Sequence, residues 1–161
     1  MINNLKKITV KIDIILNFFI VIFFSILIFS CVLQVFTRYV LNSAFTWTEE
    51  LARYSFIWTN LLGAVLCVKK KSHATVTAIT DKLSNKKYIK VQFFVQVVIL
   101  IVSLILFIYG FEVTLKTVSQ TSAAMKISMS LINASVPVSS FFMILYTISN
   151  ILILKEDKVV Q

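Results

Sequence analysis

Glycine, proline and charge are all scarce in this sequence. Its 161 residues include two glycines, one proline, two cysteines and one histidine, and only 14% are charged. So few turn-forming residues argue against a β-barrel and favour long helices. A single histidine excludes a metal or haem site built from several histidines, and two cysteines inside apolar runs do not indicate a disulfide framework.

Apolar residues dominate what remains. They make up 58% of the chain, and phenylalanine alone accounts for 14 residues. A soluble domain of this size could not hide that much apolar surface, so the sequence indicates a protein whose solvent is the lipid bilayer.

Four long uncharged stretches divide the chain. They predict an all-α integral membrane protein, a single domain over residues 1–161, with four transmembrane helices. The polar connection before the fourth span has room for a short interfacial helix. The predicted spans cover about residues 14–37, 47–68, 90–111 and 136–154.

The lysines and arginines predict the orientation. With both termini in the cytoplasm, twelve of the 16 basic residues lie inside and four outside. This bias fits a multi-pass bundle of four helices, oriented N-in and C-in. The basic segment 69–90 is then a cytoplasmic loop among anionic phospholipid headgroups, so the net charge of +9 does not predict a nucleic-acid partner. The first span is too long for a signal peptide and no cleavage site follows it.

The stretch FTWTEELARY, residues 45–54, places charges at the start of the second span. Thr46 followed by Glu49 has the form of a capping box, which predicts a helix beginning at Thr46. Glu49 and Glu50 lie three or four residues before Arg53, so either carboxylate can pair with the guanidinium.

One face of this helix is aromatic. Trp47, Glu50, Tyr54 and Trp58 lie within about 80° of one another at 100° per residue. Such a face would suit a partner helix or lipid headgroups, and the alternative is that these residues only anchor the helix at its depth. No catalytic role is expected, because adjacent glutamates on a helix point about 100° apart and no nucleophile or metal-binding cluster accompanies them.

Three further residues are candidates for partner or lipid contacts. Arg38, just beyond the first span, can bind a lipid phosphate, an acid of a partner, or Glu49 or Glu50. Gly63 permits close approach of another helix, within the bundle or from a partner. His73, the one histidine, is expected near the cytoplasmic headgroups. No cofactor or metal is predicted.

These residues together resemble a known family. The segment from Val32 to Leu83 resembles the signature region of the small membrane subunit (the DctQ-like Q subunit) of tripartite ATP-independent periplasmic (TRAP) transporters. A weaker resemblance continues from Thr121 through Val136-Pro137-Val138 to about residue 154. One departure is Ser139-Ser140 after the proline, where the family often has glycine. The matching features are Arg38-Tyr39, Trp47-Thr48-Glu49-Glu50-Leu51-Ala52-Arg53, Trp58, Leu62-Gly63-Ala64 and His73.

The resemblance implies a location in the bacterial inner membrane, and it implies a function. A small, non-catalytic scaffold subunit would support a large membrane subunit in sodium-driven uptake of an organic acid, of the sialic acid or dicarboxylate class. A periplasmic substrate-binding protein would deliver that acid. A self-contained four-span exporter is the alternative, but such exporters need an acid deep in a helix, and every acid here lies near a span end. A redox-enzyme anchor would need pairs of histidines.

Overall fold

The computed structural model describes the backbone of residues 2–43, 45–69 and 85–159, which form four long helices and one short one. The helices are α1 (Ile2–Tyr39), α2 (Thr46–Lys69), α3 (Asn85–Lys116), α4 (Met129–Asn133) and α5 (Ser135–Val159). Four segments are long and apolar enough to cross a membrane, and the fourth joins α4 to α5 over Met129–Leu152. The prediction of an all-α membrane protein with four transmembrane helices is confirmed.

The ends of the helices follow local chemistry. α2 begins at Thr46 as predicted, but in its first turn the Thr48 hydroxyl donates to the carbonyl oxygen of Phe45 at 2.7 Å. The carboxylate of Glu49 is bound by Arg53 instead of closing a capping box. Pro137 lies in the first turn of α5, where a missing N–H costs little.

α1 and α3 extend well beyond the predicted spans. α1 starts at Ile2 and α3 runs from Asn85 to Lys116. The sequence prediction stopped at charged residues because these are costly in lipid, whereas a helix continues into water without loss of its backbone hydrogen bonds.

The long helices are packed in the spatial order α1–α2–α5–α3. α1 packs along α2, α2 against α5, and α5 against α3. α2 and α5 are therefore central. In the most apolar 18 residues of each span, 28% of the residues are buried for α2 and 39% for the span formed by α4 and α5, against 11% for α1 and 17% for α3. The outer helices consequently expose most of their apolar side chains.

The apolar core lies between α1, α2 and α5. Leu16, Leu62, Val65, Val68 and Tyr146 are buried there. At the edge of this core, the rings of Phe23 and Trp58 stack with centroids 5.3 Å apart.

The contact between α3 and α5 is built from small and polar residues. Ser103 and Ser140 are buried, and each hydroxyl donates to a carbonyl of its own helix at 2.7 Å. Gly110 is also buried, and a Cβ there would lie 2.8 Å from Cγ1 of Val136 and 3.2 Å from Cδ of Pro137. The absence of a side chain at Gly110 therefore allows the two helices to approach closely.

We expect Gly110→Ala to destabilise the protein by about 1–3 kcal/mol, because the added methyl group overpacks this contact. Thermal unfolding of the purified protein in detergent measures the effect. Gly63→Ala is the matched control, since a Cβ at Gly63 meets nothing within 4 Å in the described chain. Adding Val136→Ala should restore part of the lost stability. Equal unfolding temperatures for the two alanine variants would contradict the close-contact assignment.

Candidate functional site

The candidate site lies where α2 begins and α3 ends, here called the Glu50 end of the bundle. It combines the first turns of α2 with the connection 117–128, which runs from α3 to α4. Most of the residues singled out in the sequence lie here.

Glu50 is bound by this connection. Its Oε1 accepts a hydrogen bond from the amide of Ala124 at 3.0 Å, and its Oε2 accepts one from the amide of Met125, also at 3.0 Å. A carboxylate that accepts two backbone amides makes charge-assisted hydrogen bonds, which are the stronger kind. Glu50 thus attaches the turn 123–125 to α2. Sequence spacing could not reveal this contact, because its partners lie 74 and 75 residues further along the chain.

The connection is also hydrogen-bonded to itself. The amide of Ser122 donates to the carbonyl of Ile127 at 2.9 Å, and the amide of Met129 donates to that of Gln120 at 2.8 Å. The Ser128 hydroxyl donates to the carbonyl of Val118 at 2.9 Å. The segment is therefore a folded element held against α2, although it contains neither a long helix nor a strand.

Glu49 and Arg53 form an ion pair beside this contact. The Arg53 guanidinium lies 2.7 Å from Oε1 of Glu49, and both side chains are 60% exposed. The sequence allowed Arg53 to pair with either Glu49 or Glu50, and in the structure it pairs with Glu49. An open groove of about 370 Å³ separates these residues from the connection. The groove is lined by Thr46, Glu49, Glu50, Arg53, Ala123 and Ala124.

The aromatic face of α2 is directed mostly into the protein itself. The Tyr54 hydroxyl lies 3.9 Å from Sδ of Met129 in α4, and Trp58 stacks on Phe23 of α1. Trp47 stays 39% exposed, with its ring near that of Phe45. Of the four residues on this face, Trp47 is the one most available to a partner or to lipid.

The remaining predicted residues are dispersed. Arg38 is exposed near the end of α1 and has no ion-pair partner among the described residues. Gly63 lies on α2 facing open space. His73 lies outside the described residues.

A polar cluster that the sequence reading missed joins three helices at the opposite end, here called the Asp13 end. Asp13 of α1 is buried, accepts a hydrogen bond from the Tyr146 hydroxyl of α5, and forms an ion pair with Lys69 of α2. Beside it, the side-chain amide of Asn150 donates to the carbonyl of Val68 at 3.0 Å. A hydrophobicity profile marks Asp13 only as the end of a span. Its partners lie 56 and 133 residues away in the sequence, so no pattern near Asp13 indicates them.

Neither end has the composition of a reactive centre. Within the described residues, no three histidine, cysteine, aspartate or glutamate side chains are close enough to hold a metal ion. The acids found here bind amides, an arginine or a lysine. The geometry is suited to holding segments together and to presenting an exposed surface.

Comparison with known proteins gives this geometry a context. The family model for the DctQ component of tripartite ATP-independent periplasmic transporters matches residues 27–154. That range includes the Glu50 end and all of α2.

Individual relatives agree with the family match. The chain is 30% identical over 111 residues to the sialic acid TRAP transporter small permease protein SiaQ of Vibrio cholerae, covering 69% of this chain and 64% of that one. A putative TRAP transporter small permease protein of Haemophilus influenzae is 48% identical over 59 residues, covering 37% and 35%. A stretch of 76 residues, 47% of this chain, is 32% identical to 12% of the sialic acid TRAP transporter permease protein SiaT of H. influenzae. The matched regions thus cover less than two thirds of each of these relatives.

We expect Glu50→Gln to release the connection from α2, because a carboxamide offers one acceptor oxygen and no charge to the two amides. Amide exchange at Ala124 and Met125 should rise about tenfold, and trypsin should cleave faster after the exposed Lys126.

Glu49→Gln is the matched control, since it breaks only the exposed pair with Arg53. The assignment of Glu50 as the anchor is refuted if both variants exchange and cleave at the same rate as the unaltered protein.

Proposed function

The chain belongs to the family of DctQ components of tripartite ATP-independent periplasmic transporters, and on that basis we propose a scaffold role for it. It would be the small, non-catalytic subunit that supports the large membrane subunit. The complex would take up an organic acid, driven by a sodium gradient, after a periplasmic substrate-binding protein delivers it. The observation that carries the proposal is the family match over residues 27–154, which includes all of α2 and the connection.

The placement of charge supports a passive role. Transport sites usually require ionisable or unwound elements near the middle of the membrane. Among the described residues, the acids Asp13, Glu49, Glu50 and Glu112 lie near the ends of the membrane spans, and each has a partner within the chain. The long helices are continuous between their ends. These features fit a rigid support better than a substrate path.

The relatives support the partner and the substrate class. The sialic acid permease SiaT includes a stretch similar to this chain within a much longer protein, which fits a small component working beside a permease. SiaQ of V. cholerae carries sialic acid in its name. We therefore place sialic acid first and dicarboxylates second among the organic acids to be tested.

The orientation is proposed from the basic residues. Segment 69–90 would lie in the cytoplasm of a bacterium, with both termini, and the Glu50 end would face the periplasm beside the binding protein. Trp47 and Arg38 would lie at the level of the phospholipid headgroups, where their exposed side chains have suitable neighbours.

Reconstitution tests the function. We expect the chain to co-purify with a large TRAP membrane subunit co-expressed from the same organism. Liposomes containing both should take up radiolabelled N-acetylneuraminic acid or succinate when the binding protein and an inward sodium gradient are present. A sodium ionophore should abolish uptake, and liposomes with the small chain alone should take up nothing. Uptake by the small chain alone, or full uptake without it, would refute the scaffold role.

Cysteine labelling tests the orientation. In a variant without Cys31 and Cys67, we expect Ser119→Cys to react with a membrane-impermeant maleimide in intact spheroplasts. Ser72→Cys, in the basic segment, should react only after permeabilisation. The reverse pattern would overturn the proposed orientation.

A further inference from the structure

One side of α2 is unlike the other outward surfaces of the bundle. It lies opposite most of the buried residues of the helix, with buried Ala52 next to its edge, and spans about 80° at 100° per residue. We call it the open strip; it consists of Glu49, Arg53, Phe56, Asn60, Gly63 and Cys67.

The open strip is poor in large apolar side chains. In α2 the exposed large hydrophobic residues are Trp47 and Phe56, whereas α1 and α3 each expose more than ten, most of them phenylalanine, isoleucine, leucine or valine. Lipid chains are matched by such large side chains, whereas helix–helix contacts in membranes favour small and polar residues. The open strip therefore has the composition of a helix contact rather than of a lipid-facing surface.

Asn60 provides the strongest evidence. It lies near the middle of the span Thr46–Lys69 and is exposed. Its Nδ2 donates to the carbonyl of Phe56 at 2.9 Å, which leaves the carbonyl oxygen and the second amide hydrogen of its side chain without partners in the described chain. Leaving such a group in hydrocarbon costs free energy, so a polar group of another molecule at the same depth would stabilise it.

Gly63 lies next to Asn60 along the strip. Gly110 shows how this protein uses a glycine at a helix contact, because Val136 fills the space where its Cβ would be. At Gly63 the corresponding space is empty to 4 Å within the described chain. Another helix backbone can therefore approach α2 closely at this position.

We propose that the open strip of α2 is the surface on which a transmembrane helix of the large membrane subunit packs. That helix crosses closest at Gly63 and places a hydrogen-bonding side chain opposite Asn60. Its end reaches the exposed Glu49–Arg53 pair, which offers both a negative and a positive group. This inference rests on the proposed function, because the large subunit is the partner named there.

The test uses the full complex, with the small chain tagged and co-expressed with the large subunit. We expect Gly63→Leu to reduce the co-purified large subunit about tenfold, by overpacking the crossing point. Asn60→Leu should reduce it about threefold, by removing one interhelical hydrogen bond. Ser25→Leu is the matched control: Ser25 is an exposed small residue within the α1 span, and the change should leave co-purification unaltered.

A photo-crosslinker at position 63 should link to the large subunit, and one at position 25 should not. Thermal unfolding of each variant alone confirms that its fold is intact, which the open space around Gly63 leads us to expect.

The outcomes separate the two proposals. If the unaltered chain does not co-purify with the large subunit, the proposed function itself fails. If it does but both open-strip variants behave as the unaltered chain, only this surface assignment fails. Asn60→Leu raising the unfolding temperature without loss of association would show that the strip faces lipid. If the open-strip variants lose association only between two differently tagged copies of this chain, the strip is a contact between copies. A lipid-facing strip and a contact between copies would each overturn the inference.

Discussion

The structure depends on one constraint: a carboxylate withdrawn from water needs ionic or hydrogen-bonding partners within the protein. Asp13 of α1 is buried, where Lys69 of α2 forms an ion pair with it and the Tyr146 hydroxyl of α5 donates a hydrogen bond to it. At the opposite end, the Glu50 carboxylate accepts hydrogen bonds from two backbone amides of the connection. Each contact joins elements that are distant in sequence, so the acids hold the bundle together at both ends. Between them, the buried hydroxyls of Ser103 and Ser140 donate to carbonyls of their own helices, so α3 and α5 can pack closely at these positions.

The sequence was informative where the signal is local. Uncharged stretches predicted four spans because lipid excludes charge over a known thickness. The Thr46 start of α2 and the Glu49–Arg53 pairing follow from spacing within one helix. The pair of Glu112 and Lys116, also four residues apart in one helix, is present at 2.6 Å.

It was uninformative where the partner is remote. Nothing near Glu50 in the sequence indicates the amides of Ala124 and Met125, and nothing near Asp13 indicates Tyr146. Helical periodicity correctly grouped Glu50, Tyr54 and Trp58 on one face, but it could not show that this face is covered by α1, α4 and the connection. The order α1–α2–α5–α3 also lies beyond sequence reading, because every permutation of four apolar helices presents the same hydrophobicity profile. That order supports the proposed scaffold role, because α2 and α5 each pack against two other long helices and so hold the bundle together.

The Asp13 cluster also has a consequence for biosynthesis. A ribosome produces Asp13 first, Lys69 56 residues later and Tyr146 133 residues later. The aspartate can therefore pair with its counter-ion once α1 and α2 pack together, before α5 has been synthesised. Until then the carboxylate lacks the ion pair that Lys69 provides in the folded protein. The phenol of Tyr146 can join the site only after α5 has been synthesised, so the three-helix contact is the later of the two to form.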